Sequence, residues 1–190
     1  MGIYMEAKGG RSKFIEGKDI DLRLMEESDT EHIIAWRNQE FVRRNFIYQD
    51  SFTREGHFHW IETMIRTGKA VQFIILRKSD GKPIGSVYLR DIDRTHNKGE
   101  YGIFIGDREA LGKGYGTQAA QLMIDYAFRQ EGLHKLMLRV LAENIQAKRS
   151  YEKAGFIEEA YLRDEVFLNG QYKDVIYMAV LNDKKQEVSQ

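Results

Sequence analysis

The chain has 190 residues, 42% of them hydrophobic and 12% aromatic, enough for one ordinary core and too few for two comfortable domains. Lys plus Arg equals Asp plus Glu at 29 each, which argues against a generally basic nucleic-acid surface, and the absence of cysteine excludes disulfides, thiolate metal sites and a cysteine nucleophile. No run approaches the roughly 20 apolar residues of a membrane span, and a single cytoplasmic domain is expected.

Residues 1–18 are polar and read as an amino-terminal extension; the domain is expected over 19–181, with a charged tail at 182–190. A strand is expected from Asp19 to Leu24, then helices from Asp29 to Asn38 and from Thr53 to Thr67, with Asp29 and Thr53 as caps. His57 and His59 stand two apart on the second helix and do not share a face, which argues against a metal site. Val71 to Arg77 and Ile84 to Asp91 read as strands joined at Ser79-Asp80-Gly81, and Glu100 to Ile105 as a third.

Three glycines in five residues follow, in Leu111-Gly112-Lys113-Gly114-Tyr115-Gly116-Thr117. Glycine lets the backbone approach a ligand closely, and the free N–H groups of a helix start favour a phosphate or pyrophosphate. Lys113 lies between two glycines, unlike the P-loop lysine, and Thr117 and Ala119 occupy the positions where a dinucleotide fingerprint needs its third glycine. The alternative to a phosphorylated cofactor is a flexible loop before a helix.

In that helix Ala119, Leu122, Met123, Tyr126 and Ala127 repeat on one face, and Gly132 stands where a cap belongs. Lys135 to Leu141 alternates as a strand does. Asn144 then caps a second helix that ends at Gly155, and Asn169-Gly170 marks a hairpin between Val166–Leu168 and Tyr172–Val180. The order β-α-α-β-β-β-α-β-α-β-β, antiparallel hairpins with one parallel crossover, is α+β.

The glycine loop together with Asn144-Ile145-Gln146-Ala147-Lys148-Arg149-Ser150-Tyr151-Glu152-Lys153-Ala154-Gly155-Phe156 strongly resembles the GNAT superfamily of acetyl-CoA-dependent N-acetyltransferases. The likeness is to the branch of spermidine and ribosomal-protein N-terminal acetyltransferases. It runs from about Ile20 to Leu181 and departs at Leu111, where the family usually has Gln or Arg. It implies a mixed, mostly antiparallel sheet with a splayed parallel strand pair, and a pantetheine arm pairing with the main chain of Ile103, Phe104 and Ile105. Residues 111–117 would hold the pyrophosphate, and Asn144 either caps its helix, contacts acetyl-CoA, or does both. Matching the second motif, Tyr151 is the candidate general acid for the thiolate, with packing as its alternative role. Its proton is then expected to shape the alkaline limb of the pH–rate profile between pH 6 and 10.

By likeness to the polyamine branch, Glu100 is the first candidate base, beside a solvated strand end or proton loss through water. Charge leaves the acceptor open among a polyamine, a peptide amino terminus and an amino-sugar nucleotide, since acids such as Glu31 and Glu40 stand near Arg37, Arg43 and Arg44. No nucleic-acid or membrane partner is expected. A homodimer is one way to cover Trp36, Phe41, Phe46, Tyr48, Phe52 and Trp60, whose alternative is the core. The competing function is a non-catalytic acyl-CoA-binding or protein-interaction module on the same fold.

Overall fold

The computed structural model describes residues 3–5 and 12–182. Its elements in chain order are β1 (Ile3–Met5), β2 (Phe14–Glu16), β3 (Ile20–Leu24), α1 (Thr30–Arg37), α2 (Glu40–Arg43), α3 (Arg54–Trp60), β4 (Val71–Arg77), β5 (Pro83–Asp93) and β6 (Lys98–Ile105). Then come α4 (Tyr115–Arg129), β7 (Lys135–Leu141), α5 (Ile145–Ala154), β8 (Ile157–Leu168) and β9 (Gln171–Leu181). The strands form one sheet in the order β1-β2-β3-β4-β5-β6-β7-β9-β8. Neighbours are antiparallel except β6 and β7, which run parallel. The mixed α+β fold and its parallel pair are thus as expected.

The sheet is covered on both faces, which is why β4 is apolar without a break from Phe73 to Leu76 and buried from Val71 to Ile75. Phe73 and Ile75 join the larger cluster, with Ala119, Leu122, Met123, Tyr126 and Ala127 of α4. Between them Ile74 points the other way, into the cluster of Ile33, Trp36, Phe41, Val42 and Phe104. The expected α4 face is buried throughout. Trp36 and Phe41 are buried and Phe46, Phe52 and Trp60 half-buried, so the core, not a partner, covers most of the aromatic flank; Tyr48 remains exposed.

Several boundaries differ from expectation. Of the expected extension, residues 1–2 and 6–11 lie outside the described residues, whereas Phe14–Glu16 pairs with β3 and buries Ile15. Of the expected tail, 183–190 lies outside them. Asp29 does not cap α1 with its side chain: its carboxylate accepts from Arg23 Nη2 at 2.7 Å and from the Glu26 N–H at 2.8 Å, closing the preceding turn. Thr53 does cap α3, accepting from the Gly56 N–H at 3.1 Å. Helix α4 is capped at Gln130, with Gly132 two residues beyond in the left-handed region.

Candidate active site

Strands β6 and β7 pair only from Lys98↔Lys135 to Glu100↔Met137. Beyond that they part, and a cleft of about 820 Å³ lies where Ile103, Phe104 and Ile105 of β6 no longer have β7 as a neighbour. The main-chain groups on that side of β6 are left to pair with something that enters the wedge. The cleft floor is the glycine loop. Gly112 and Gly114 have φ of 72° and 79°, and Gly114 is the residue before α4. A Cβ at either glycine would meet no protein atom within 4 Å, so the space above the loop is open. Backbone N–H groups there face that space at the positive end of a 15-residue helix. This cradle fits the pyrophosphate of acetyl-CoA, and the apolar walls fit its pantetheine arm.

Leu111, Gly112, Gly114, Tyr115, Gly116 and Thr117 all line the cleft; Lys113 does not, and its side chain is exposed. Thr117 Oγ1 shares a hydrogen bond with Ser150 Oγ at 2.8 Å, tying α4 to α5 across the floor. Asn144 caps α5, accepting from the Ala147 N–H at 3.1 Å, and also lines the cleft. Gly155, at φ 113°, ends α5 as expected. The cap and the terminator fix the phase of the helix, which turns Ala147, Tyr151 and Ala154 toward the sheet.

Tyr151 is half-buried in the cleft wall, its ring 6.0 Å from Tyr101 and 6.1 Å from Phe156 in edge contacts. Its hydroxyl has no hydrogen-bond partner among the described residues. Burial, with a smaller contribution from Tyr88, raises its pKa well above the usual tyrosine value, so the phenol keeps its proton. The alkaline limb expected between pH 6 and 10 is therefore displaced upward, because desolvation disfavours the phenolate.

Glu100 also lies in the cleft, and both of its oxygens accept from guanidiniums. Arg90 Nη2 donates to Oε1 at 2.6 Å; Arg139 donates to Oε1 from Nε and Nη2 at 3.2 Å and to Oε2 at 3.3 Å. This arrangement differs from the free carboxylate that a base requires. No periodicity signals it, since the three residues come from β5, β6 and β7. Tyr88, Arg90, Tyr101, Arg139 and Ser150 are among the cleft residues that sequence reasoning missed. The histidines stay apart: His57 is buried with Nδ1 3.1 Å from Thr30 Oγ1, while His59 is exposed.

Comparison with known proteins places the site in context. Residues 19–157 match the acetyltransferase (GNAT) domain family. The chain is 41% identical to the spermidine N(1)-acetyltransferase of Vibrio cholerae over 165 residues, covering 87% of this chain and 94% of that one. It is 32% identical to the putative ribosomal N-acetyltransferase YdaF of Bacillus subtilis, covering 85% and 91%. The crystal structure of spermidine N-acetyltransferase from Vibrio cholerae in complex with CoA and spermine superposes with a TM-score of 0.80 at 29% identity, covering 87% of this chain and 96% of that chain. These relatives are named as acetyltransferases, which sets aside the non-catalytic module. No helix among the described residues is long and apolar enough to cross a membrane.

Proposed function

The chain belongs to the GNAT acetyltransferases, enzymes that use acetyl-CoA, and from that premise we propose that it moves the acetyl group to a primary amine by direct attack, with Tyr151 protonating the departing thiolate. One observation carries this reading: an unpartnered phenol, kept neutral by burial, in the wall of the cleft. The amine nitrogen forms the new C–N bond as the C–S bond breaks. The sulfur takes the Tyr151 proton as it leaves, and the phenolate, disfavoured by its burial, regains a proton from water in the open cleft. The amine's own proton leaves through water. Glu100, held by two guanidiniums, positions Arg90 and Arg139 rather than accepting that proton.

Residues 111, 112 and 114–117 and the main chain of 103–105 hold acetyl-CoA in this reading, with Asn144 fixing α5 above it. Lys113 contributes its N–H only. The acceptor is a small-molecule or peptide amine, and the protein acts as a homodimer whose contact is the exposed side of β8 and β9.

Tyr151→Phe tests the central claim. The ring contacts persist while the donor is lost, so acetyl-CoA affinity by calorimetry should hold as turnover falls about 10- to 1,000-fold. Wild-type turnover in the folded variant would return Tyr151 to a packing role.

A further inference from the structure

The charges that line the cleft away from the glycine loop are unequal. Arg44, Arg90 and Arg139 face it, and Glu100 is the only acid among its described lining residues. Both Glu100 oxygens accept from guanidiniums, Oε2 through one contact at 3.3 Å, so the one carboxylate of the described lining is already ion-paired. Arg44, on the exposed turn after α2, has no side-chain hydrogen bond or ion pair among the described residues. Asp91 lies 3.6 Å from Arg90 Nε but is solvent-exposed and outside the cleft.

Behind this wall sits a fourth guanidinium. Arg37 is stacked on Phe46 with its carbon 3.4 Å from the ring centroid, and its Nη1 is buried with no hydrogen-bond partner. It makes no ion pair among the described residues, and burial and the nearby charge of Arg90 both lower its pKa. A buried cation without an anion is costly. A ligand that brings negative charge to the wall would offset that cost for Arg37, and would give the exposed Arg44 a partner.

We infer that the acceptor amine also carries an oxyanion, a carboxylate or a phosphate, received by the wall of Arg44, Arg90 and Arg139. The inference rests on the acetyl-transfer reading and names its substrate class. It differs from the substrate in the names of the spermidine-acetylating relatives. A polycation would meet a positive wall here, with Asp50 and Glu165 lying in the adjoining recess. The same wall aids the chemistry, because neighbouring positive charge disfavours the ammonium form and raises the fraction of attacking neutral amine. An anchored oxyanion overcomes the repulsion that a simple amine would feel. Planar guanidiniums suit this task by bidentate bonding to carboxylate or phosphate.

The experiment follows thioester consumption at saturating acetyl-CoA with matched acceptors: ethanolamine, β-alanine and phosphoethanolamine; glucosamine, glucosamine 6-phosphate and UDP-glucosamine; and spermidine. At least one anionic acceptor should exceed its neutral parent about tenfold or more in kcat/KM, with spermidine below both, and the carboxylate and phosphate arms tell which oxyanion is read. Arg44→Gln, an exposed substitution, should lower kcat/KM for that anionic acceptor about 10- to 100-fold, the scale of one lost charge-assisted hydrogen bond. Preference for spermidine or for the neutral parents overturns the inference and leaves acetyl transfer standing. An anionic preference that survives in both Arg44→Gln and Arg139→Gln overturns the assignment to this wall. Thioester consumption by none of these acceptors, with acetyl-CoA bound by calorimetry, overturns the inference, and the same result with a peptide amino terminus added overturns the transfer reading too.

Discussion

At the scale of single residues, the contrast between Tyr151 and Glu100 governs the pH behaviour of the reaction. Tyr151 is a neutral donor whose ionisation lies above the working range, so steady-state rates from pH 6 to 10 should show no descending limb that disappears in Tyr151→Phe. Such a limb, present in the wild type and absent in the variant, would mean that the phenol is far less desolvated than its packing implies. Glu100→Gln separates base from positioning residue. A base would take the acidic limb with it, whereas a residue that holds Arg90 and Arg139 leaves the limb and raises KM for the acceptor. Gly102 is a third lever. A Cβ there would sit 2.3 Å from Tyr88 Cζ, so the ring of Tyr88 crosses β6 where no side chain stands in its way. Gly102→Ala should displace Tyr88 beneath the site and lower turnover about tenfold or more, by misplacement rather than lost chemistry. A crystal structure of the variant with Tyr88 unmoved and full activity would contradict this.

Among the elements, the glycine loop and α4 form a unit whose sequence signals agree at every level. Gly112 and Gly114 take positive φ, the apolar stripe is buried, and the helix start faces the cleft. Gly114→Val places a β-branched residue at φ 79°, a conformation that costs about 1–2 kcal/mol, and puts its methyl groups into the open space above the loop. Acetyl-CoA affinity measured by calorimetry should fall sharply; unchanged affinity in the folded variant would remove the cradle. Helix α5 was legible for the same reason, with Asn144 and Gly155 bounding it. Strand β8 was not: it begins at Ile157, nine residues before the expected Val166, yet it carries Glu158, Glu159, Arg163, Asp164 and Glu165 on an exposed outer strand. With no buried face along much of its length, no period-2 pattern marks it. Asp29 misled differently, because a carboxylate before a helix serves equally well in a turn, and Arg23 on β3 drew it there.

For the whole molecule, topology brings together what sequence order keeps apart. Arg90, Glu100 and Arg139 meet only because β5, β6 and β7 are adjacent, so the charge of the cleft was illegible while the motif that carries Tyr151 was plain. The outer hairpin of β8 and β9 also leaves Ile157, Tyr161, Phe167 and Tyr172 exposed. A second copy would cover them, and sedimentation at micromolar concentration should show a species heavier than the monomer; a lone monomer peak rejects the dimer. Global stability is expected to follow pH through His57, which joins α3 to α1 by its contact with Thr30. The imidazole is fully buried, its Nε2 has no partner, and burial lowers its pKa against the weaker opposing effect of Asp29. The folded state thus resists a proton that the unfolded chain accepts near pH 6.5. Stability from this group is complete above about pH 6.5 and is lost as pH falls toward the folded-state pKa, at up to about 1.4 kcal/mol per pH unit. Melting temperature measured from pH 8 to 5.5 should fall most steeply below pH 6.5. His57→Gln keeps a hydrogen-bonding group beside Thr30 without a titrating ring and should flatten that slope; a slope identical to wild type would assign the pH dependence to other groups.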